Sequence, residues 1–204
     1  GVATPESDNC KPIVLITGAA GNIGTSLAGV LKDSYQIVGL DRPRSKADFP
    51  LIEVDLGDGK SVEKAVEEFR EKFGDRIASV VHLAAYFDFT GEENPLYQSI
   101  NVEGTRRLLH ALQAPHVEQF LYSGTMLIHA PGEPGQRIDE DQPIKPKWAY
   151  PKSKAAAEEV IRAEHGDIPD VLLPLAGLYD DETAVPTLSN QIARIYERDL
   201  QSHF

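Results

Sequence analysis

The apolar run Pro12-Ile13-Val14-Leu15-Ile16-Thr17, followed at once by Gly18-Ala19-Ala20-Gly21-Asn22-Ile23-Gly24, constrains the fold of this chain more than any other feature. A short unbroken apolar run suits a strand buried on both faces. A helix opening at Asn22 would carry Ile23, Leu27, Val30 and Leu31 on one side. The pattern is a strand, a glycine turn and a helix, which is the opening of a parallel β-α-β unit.

The same alternation continues to the end of the chain. Strands are expected at 36–41, 51–55, 79–84, 117–123 and 171–175. Helices are expected at 61–73, with Val62, Ala65, Val66 and Phe69 at helical spacing, and at 96–114, 148–165 and 187–200. Strands and helices joined by short connections leave few topologies besides a parallel sheet covered on both sides, because crossovers are right-handed. The expected fold is therefore α/β, a doubly wound parallel sheet of Rossmann-like type. Its ligand would lie beyond the carboxyl ends of the strands, where Gly18, Asp41, Asp55, Ala84 and Ser123 fall. The segment 131–147, rich in Pro, Gly and charge, reads as a loop over that crevice.

Composition narrows the partners. With 32 acidic against 20 basic residues the formal net charge is -12, which repels nucleic-acid phosphates and anionic lipid. Neither nucleic acid nor membrane is expected as a partner. The single cysteine, Cys10, excludes an intrachain disulfide and a cysteine-based metal site, and fits a cytoplasmic location. No metal is expected. Residues 1–11 are polar and read as a disordered leader, outside the α/β domain expected from residue 12 onward.

Gly18, Gly21 and Gly24 permit a tight turn, close approach of backbone to a pyrophosphate, and close packing of helix on strand, while the amides of Asn22 and Ile23 face the anion. The spacing is wider at its start than G-x-G-x-x-G, and it also suits an ordinary strand-to-helix turn. Asp41, about 20 residues beyond the glycines, is placed to accept hydrogen bonds from the adenosine ribose and to repel a 2′-phosphate. NAD is thus preferred over NADP, although Arg42 and Arg44 keep NADP open, and Asp41 can equally start the turn before Pro43. Asp55, with Leu56 beside it, can reach an adenine amino group or can cap the turn containing Gly57 and Gly59.

On a helix, Tyr150 and Lys154 lie one turn apart on the same face. An ammonium there can lower the phenol from its ordinary value of about 10 and make a general acid/base. Lys152 points to another face and reads as solvated.

These motifs together resemble the extended short-chain dehydrogenase/reductases of the NAD-dependent epimerase/dehydratase family. Thr17 to Gly24 resembles that family's nucleotide signature, His82-Leu83-Ala84-Ala85 its fourth-strand signature, Asn101-Val102-Glu103-Gly104-Thr105 its helix signature, and Tyr150 to Lys154 its active-site motif. The resemblance covers about residues 12–179, and it implies that 12–180 is an NAD-binding Rossmann-like domain and 181–204 the start of a smaller substrate lobe largely absent from this chain. It implies that Leu83, Ala84 and Ala85 border the cofactor, that Tyr150 is the proton donor and acceptor, and that Lys154 also bonds the nicotinamide ribose. It further implies that Asn101 steadies the helix near Lys154, unless that side chain is satisfied locally. Counting along the family's fifth strand places its substrate-bonding hydroxyl at Thr125, with Ser123 as the weaker candidate. Met126 and Leu127 stand where sugar 4,6-dehydratases carry an acidic pair, which disfavours dehydration. Ile128-His129-Ala130 replaces the usual Val-Tyr-Gly and implies an unusual substrate wall.

The function expected is NAD-dependent oxidoreduction or epimerisation at a hydroxyl of a nucleotide sugar. The alternatives are an NAD(P)-dependent reductase or dehydrogenase of a non-sugar alcohol or ketone, and a non-catalytic NAD-binding protein. The resemblance also implies pairing of two copies into a homodimer through two helices per subunit, for which those at 96–114 and 148–165 could serve.

Overall fold

A computed structural model describes residues 11–88, 90, 92–122, 149–173 and 185–194. Six parallel strands form one sheet: β1 Ile13–Thr17, β2 Gln36–Asp41, β3 Leu51–Glu53, β4 Arg76–His82, β5 His116–Tyr122 and β6 Asp170–Leu172. Their order is β3-β2-β1-β4-β5-β6, the doubly wound arrangement that the alternation implied. The helices are α1 Asn22–Leu31, α2 Gly59–Phe73, α3 Glu103–Ala111, α4 Ala149–Glu164 and α5, residues 185–194; a π-helical segment, Tyr97–Val102, runs into α3.

The strands are apolar because both faces of the sheet are covered. Val14 and Ile16 of β1 join Leu27 and Leu31 of α1, Val81, Leu121, and Leu188 and Ile192 of α5 on one face. Ile13 and Leu15 turn to the other face, where Val80, Phe120, Phe69 of α2, Leu108 of α3 and Ile161 of α4 pack. Burying each such side chain contributes roughly 1.5–3 kcal/mol, so the helices are held mainly by these faces.

Four local expectations are corrected. Val30, expected on the buried side of α1, is exposed; the face that packs is Gly24, Leu27, Ala28 and Leu31. β4 starts at Arg76 rather than at 79, because its first residues pair with β5 alone: Arg76 lies opposite His116, whereas the pairing with β1 begins at Ser79 opposite Val14. A strand start with one neighbour tolerates a charged residue. β3 stops at Glu53, since Asp55 turns the chain into α2. The expected continuous helix at 96–114 is split, with Tyr97–Val102 wound as a π segment.

α3 is riveted to α4 through Arg106, which donates to Glu164 at 2.7 Å and also pairs with Glu103, and through Gln113, which donates to the His165 carbonyl at 3.0 Å. The element carrying Tyr150 is thereby fixed to the body of the domain.

Candidate functional site

β1 delivers the chain to a turn that only small residues can make. Gly18 sits at φ 66°, the left-handed region that favours glycine, and its carbonyl accepts from Gly21 N at 3.1 Å. A Cβ on Gly18 would lie 3.0 Å from Ala84 N, and one on Gly24 would lie 2.7 Å from the Ala19 carbonyl oxygen. The first glycine therefore lets β1 and β4 end side by side, and the third lets α1 lie directly on the turn. Gly21 caps α1 without a side chain, so the first-turn amides that follow Asn22 and Ile23 present a bare positive dipole to the crevice.

Asp41 closes the other side of the turn: its Oδ2 accepts from Ala20 N at 2.9 Å and its Oδ1 from Arg42 N at 2.8 Å. Its bonds go to Ala20 of the glycine turn and to its own neighbour Arg42, and the ribose role stays open to it, since a carboxylate has about four acceptor sites and two amides do not fill them. Asp55 is turned onto Gly57 N at 2.9 Å, the turn-capping alternative. Leu56 is buried in the core beneath Gly104, and its carbonyl accepts from Arg107 at 2.8 Å. Across the crevice, Leu83 N and Ala84 N donate to Thr17 Oγ1 at 3.0 and 3.1 Å, and Ala85 stands exposed at the rim.

The region around Tyr150 and Lys154 is made of side chains. Tyr150 meets Phe87 edge-on with ring centroids 4.9 Å apart, and Tyr97 at 6.4 Å. Lys154 is 1% exposed, with Nζ 4.5 Å from the Tyr122 ring centroid and 5.8 Å from that of Tyr150. Burial pulls Lys154 down to about 8, against the opposing pull of Glu158. Burial pushes Tyr150 up to about 12, with the Tyr97 phenol adding to the rise. The expected depression of Tyr150 by Lys154 is thus reversed: desolvation of the phenolate, with the Tyr97 phenol beside it, sets the direction. Lys152 is exposed, as its position on the helix implied.

Asn101 is not satisfied locally. Its Oδ1 accepts from Tyr86 N at 2.6 Å, and its Nδ2 donates to the Tyr86 carbonyl and to Ser153 Oγ, both at 3.0 Å. Ser153 in turn donates to the Tyr150 carbonyl at 2.8 Å. The π segment makes this reach possible, because its wider turn aims Asn101 at two neighbouring elements. Thr125, with Ser123, Met126, Leu127 and His129, lies outside the described residues. Among the described residues no group of three or more His, Cys, Asp or Glu could hold a metal, and no helix is long and apolar enough to cross a membrane.

Residues 14–179 match the NAD dependent epimerase/dehydratase family. The chain belongs to that family. It is similar to N-acetyl-alpha-D-glucosaminyl-diphospho-ditrans,octacis-undecaprenol 4-epimerase of Escherichia coli O157:H7, 29% identical over 157 residues that cover 76% of this chain and 44% of that protein. It is also similar to 3-beta-hydroxysteroid dehydrogenase of Mycolicibacterium neoaurum, 28% identical over 161 residues, 76% of this chain and 43% of that one. Among solved structures, the Thermus thermophilus UDP-glucose 4-epimerase in complex with NAD superimposes with a TM-score of 0.56 at 31% identity, covering 74% of this chain and 50% of that chain. The chain spans about half the length of these relatives.

Sequence reasoning gave no individual task to three members of this epimerase/dehydratase-family crevice. Thr17, His82 and Thr105 are fully buried polar residues at the carboxyl end of β1, the carboxyl end of β4 and the start of α3. Their signal was available: a polar side chain inside an apolar run must find a buried partner.

Proposed function

We propose that this chain binds NAD and forms the dinucleotide half of an oxidoreductase or epimerase acting on a hydroxyl of a nucleotide sugar. The observation that carries the reading is the linkage of two unlike groups in one domain: uncapped helix amides over the glycine turn after β1, and Tyr150 with buried Lys154 on α4, joined by buried hydrogen bonds that run from Thr17 to the Tyr150 turn. The cradle fits a dinucleotide, since a Cβ at Gly18 or Gly24 would collide with backbone while the amides of Asn22 and Ile23 stand ready for a pyrophosphate. Asp41 fits the adenosine ribose and works against a 2′-phosphate.

Bound NAD would supply the hydride acceptor at the substrate carbon. Oxidising a carbinol also requires its hydroxyl proton to leave, and Tyr150 Oη is the group on this chain to take it. Burial keeps Tyr150 protonated near neutral pH, so the phenol begins as an acid suited to protonating a keto oxygen. Running the reaction towards the ketone requires the Lys154 ammonium to outweigh that burial. Asn101, through Ser153, holds the Tyr150 turn of α4 in place. Thr125 is assigned to bonding the reacting oxygen.

The aromatic surround of Tyr150, made by Phe87 and Tyr97 with Tyr86 packed behind Tyr97, favours a second reading. Rings packed this closely suit an apolar alcohol or ketone, and the reaction would then be a net NAD(P)-dependent dehydrogenation. Stoichiometric NADH release distinguishes it from epimerisation, which returns the hydride. The test common to both is Tyr150→Phe, which keeps the ring packing and deletes the acid. Turnover is expected to fall by about 10²–10⁴-fold with NAD affinity unchanged; unchanged turnover removes Tyr150 from the mechanism.

A further inference from the structure

A continuous buried chain of hydrogen bonds crosses the domain from the end of β1 to the turn that carries Tyr150. Thr17 Oγ1 lies 2.6 Å from His82 Nδ1, and His82 Nε2 lies 2.9 Å from Thr105 Oγ1. Thr105 Oγ1 donates to the Asn101 carbonyl at 2.7 Å, and Asn101 reaches Ser153 and hence the Tyr150 carbonyl. Thr17, His82, Thr105 and Asn101 are each at most 2% exposed.

The direction of every bond follows from proton counting. Thr17 Oγ1 accepts from both Leu83 N and Ala84 N, which fills its two lone pairs, so its own proton goes to His82 Nδ1. Thr105 spends its proton on the Asn101 carbonyl, so it accepts from His82 Nε2–H. The imidazole is therefore neutral, with a bare Nδ1 and the proton on Nε2. Phe120 and Tyr122, with ring centroids 5.9 and 5.5 Å from it, keep the ring dry. Neither threonine hydroxyl nor the imidazole between them has a proton to spare, so a shift at either end is felt at the other.

We propose that His82 is a positioning residue that couples the glycine cradle to the catalytic helix: occupation of the turn beginning at Gly18 is transmitted through Thr17, His82 and Thr105 to Asn101 and the Tyr150 turn. Filling of the cradle thereby sets the reacting end before substrate arrives. The inference rests on reading that cradle as the NAD site. It gives His82 a role distinct from glue for the sheet, because glue would leave the two ends independent.

The test is nuclear magnetic resonance of the wild-type chain together with Thr105→Val, a variant of similar shape at a residue remote from the cradle. His82→Phe would unfold more readily and serves only as a comparison. In wild type the imidazole nitrogens are expected to report the Nε2–H tautomer, and added NAD is expected to move the Asn101 side-chain amide signals. In folded Thr105→Val those signals should stop responding, and the Kd for NAD should rise by about fivefold or more. An Nδ1–H tautomer, a smaller loss of affinity, or Asn101 signals that still follow NAD would each overturn the proposal. If wild type binds no NAD, the cofactor reading fails on its own, and the coupling is judged without ligand. Thr17→Val must then shift the Asn101 amide signals, and signals that stay put overturn it.

Discussion

The glycine turn after β1 and the Tyr150–Lys154 turn of α4 are built from different materials. In the proposed reading the turn binds through backbone: Gly18 takes a left-handed conformation, Gly24 leaves no room for a Cβ, and Gly21 caps α1 with no side chain. In the same reading α4 acts through side chains, whose properties are set by what buries them: Lys154 falls to about 8 and Tyr150 rises to about 12. A site made of backbone shape tolerates no added atom. A site made of buried ionisable groups tolerates added atoms better than changed charge.

The sharpest way to break the comparison is to add atoms to the backbone site. Gly18→Val places a β-branched residue at positive φ with its Cβ 3.0 Å from Ala84 N. It is expected to abolish NAD binding and to cost about 3 kcal/mol in urea denaturation, combining left-handed strain with overpacking. A variant that keeps both would show that the turn is not sterically defined.

Changing charge probes the other end. Lys154 is nearly fully buried, and its folded value of about 8 lies below the ordinary 10.5, so between those values the unfolded chain binds more protons than the native one. Stability contributed at this residue is therefore complete above pH 10.5, declines as the pH falls toward 8, and is lost below that. Lys154→Met is expected to be more stable than wild type at pH 7, by about 2–3 kcal/mol, and the gap should narrow as the pH rises from about 8 towards about 10. Paired denaturation curves at about pH 7 and pH 9.5 measure it; a gap that is constant with pH contradicts the burial account. Catalytic activity should vanish in the same variant.

The contrast in materials also explains how legible each end was. The turn could be read from Gly18, Gly21, Gly24 and Asp41 because local backbone geometry is written in local spacing. The strand starts were legible for the same reason, all but that of β4, whose first residues depend on a pairing with β5 alone. Tyr150 and Lys154 were legible as a pair, but the direction of the Tyr150 shift was not, since it depends on burial against Phe87 and Tyr97, which arrive from the segment after β4 and the π segment. The π segment itself was hidden, because Leu96 to Ala114 carries an ordinary helical pattern and the distortion answers to Asn101 reaching Tyr86 and Ser153. His82 was seen as part of a signature, yet its task needs Thr17 and Thr105, 65 and 23 residues away.

A smaller effect sharpens the boundary between the two materials. Asp41 brings a charged side chain to the turn, through Ala20 N. Asp41→Asn should cost about 1 kcal/mol of stability through that hydrogen bond, and should narrow the preference for NAD over NADP by about tenfold. An unchanged ratio of the two affinities would assign Asp41 to the turn alone.

The central claim is that the cradle is an NAD site, and calorimetric titration of this 204-residue chain with NAD and, separately, with NADP tests it most directly. The account predicts saturable binding of NAD at a single site, about tenfold or more tighter than NADP. Heat from neither dinucleotide, or tighter binding of NADP, would contradict it.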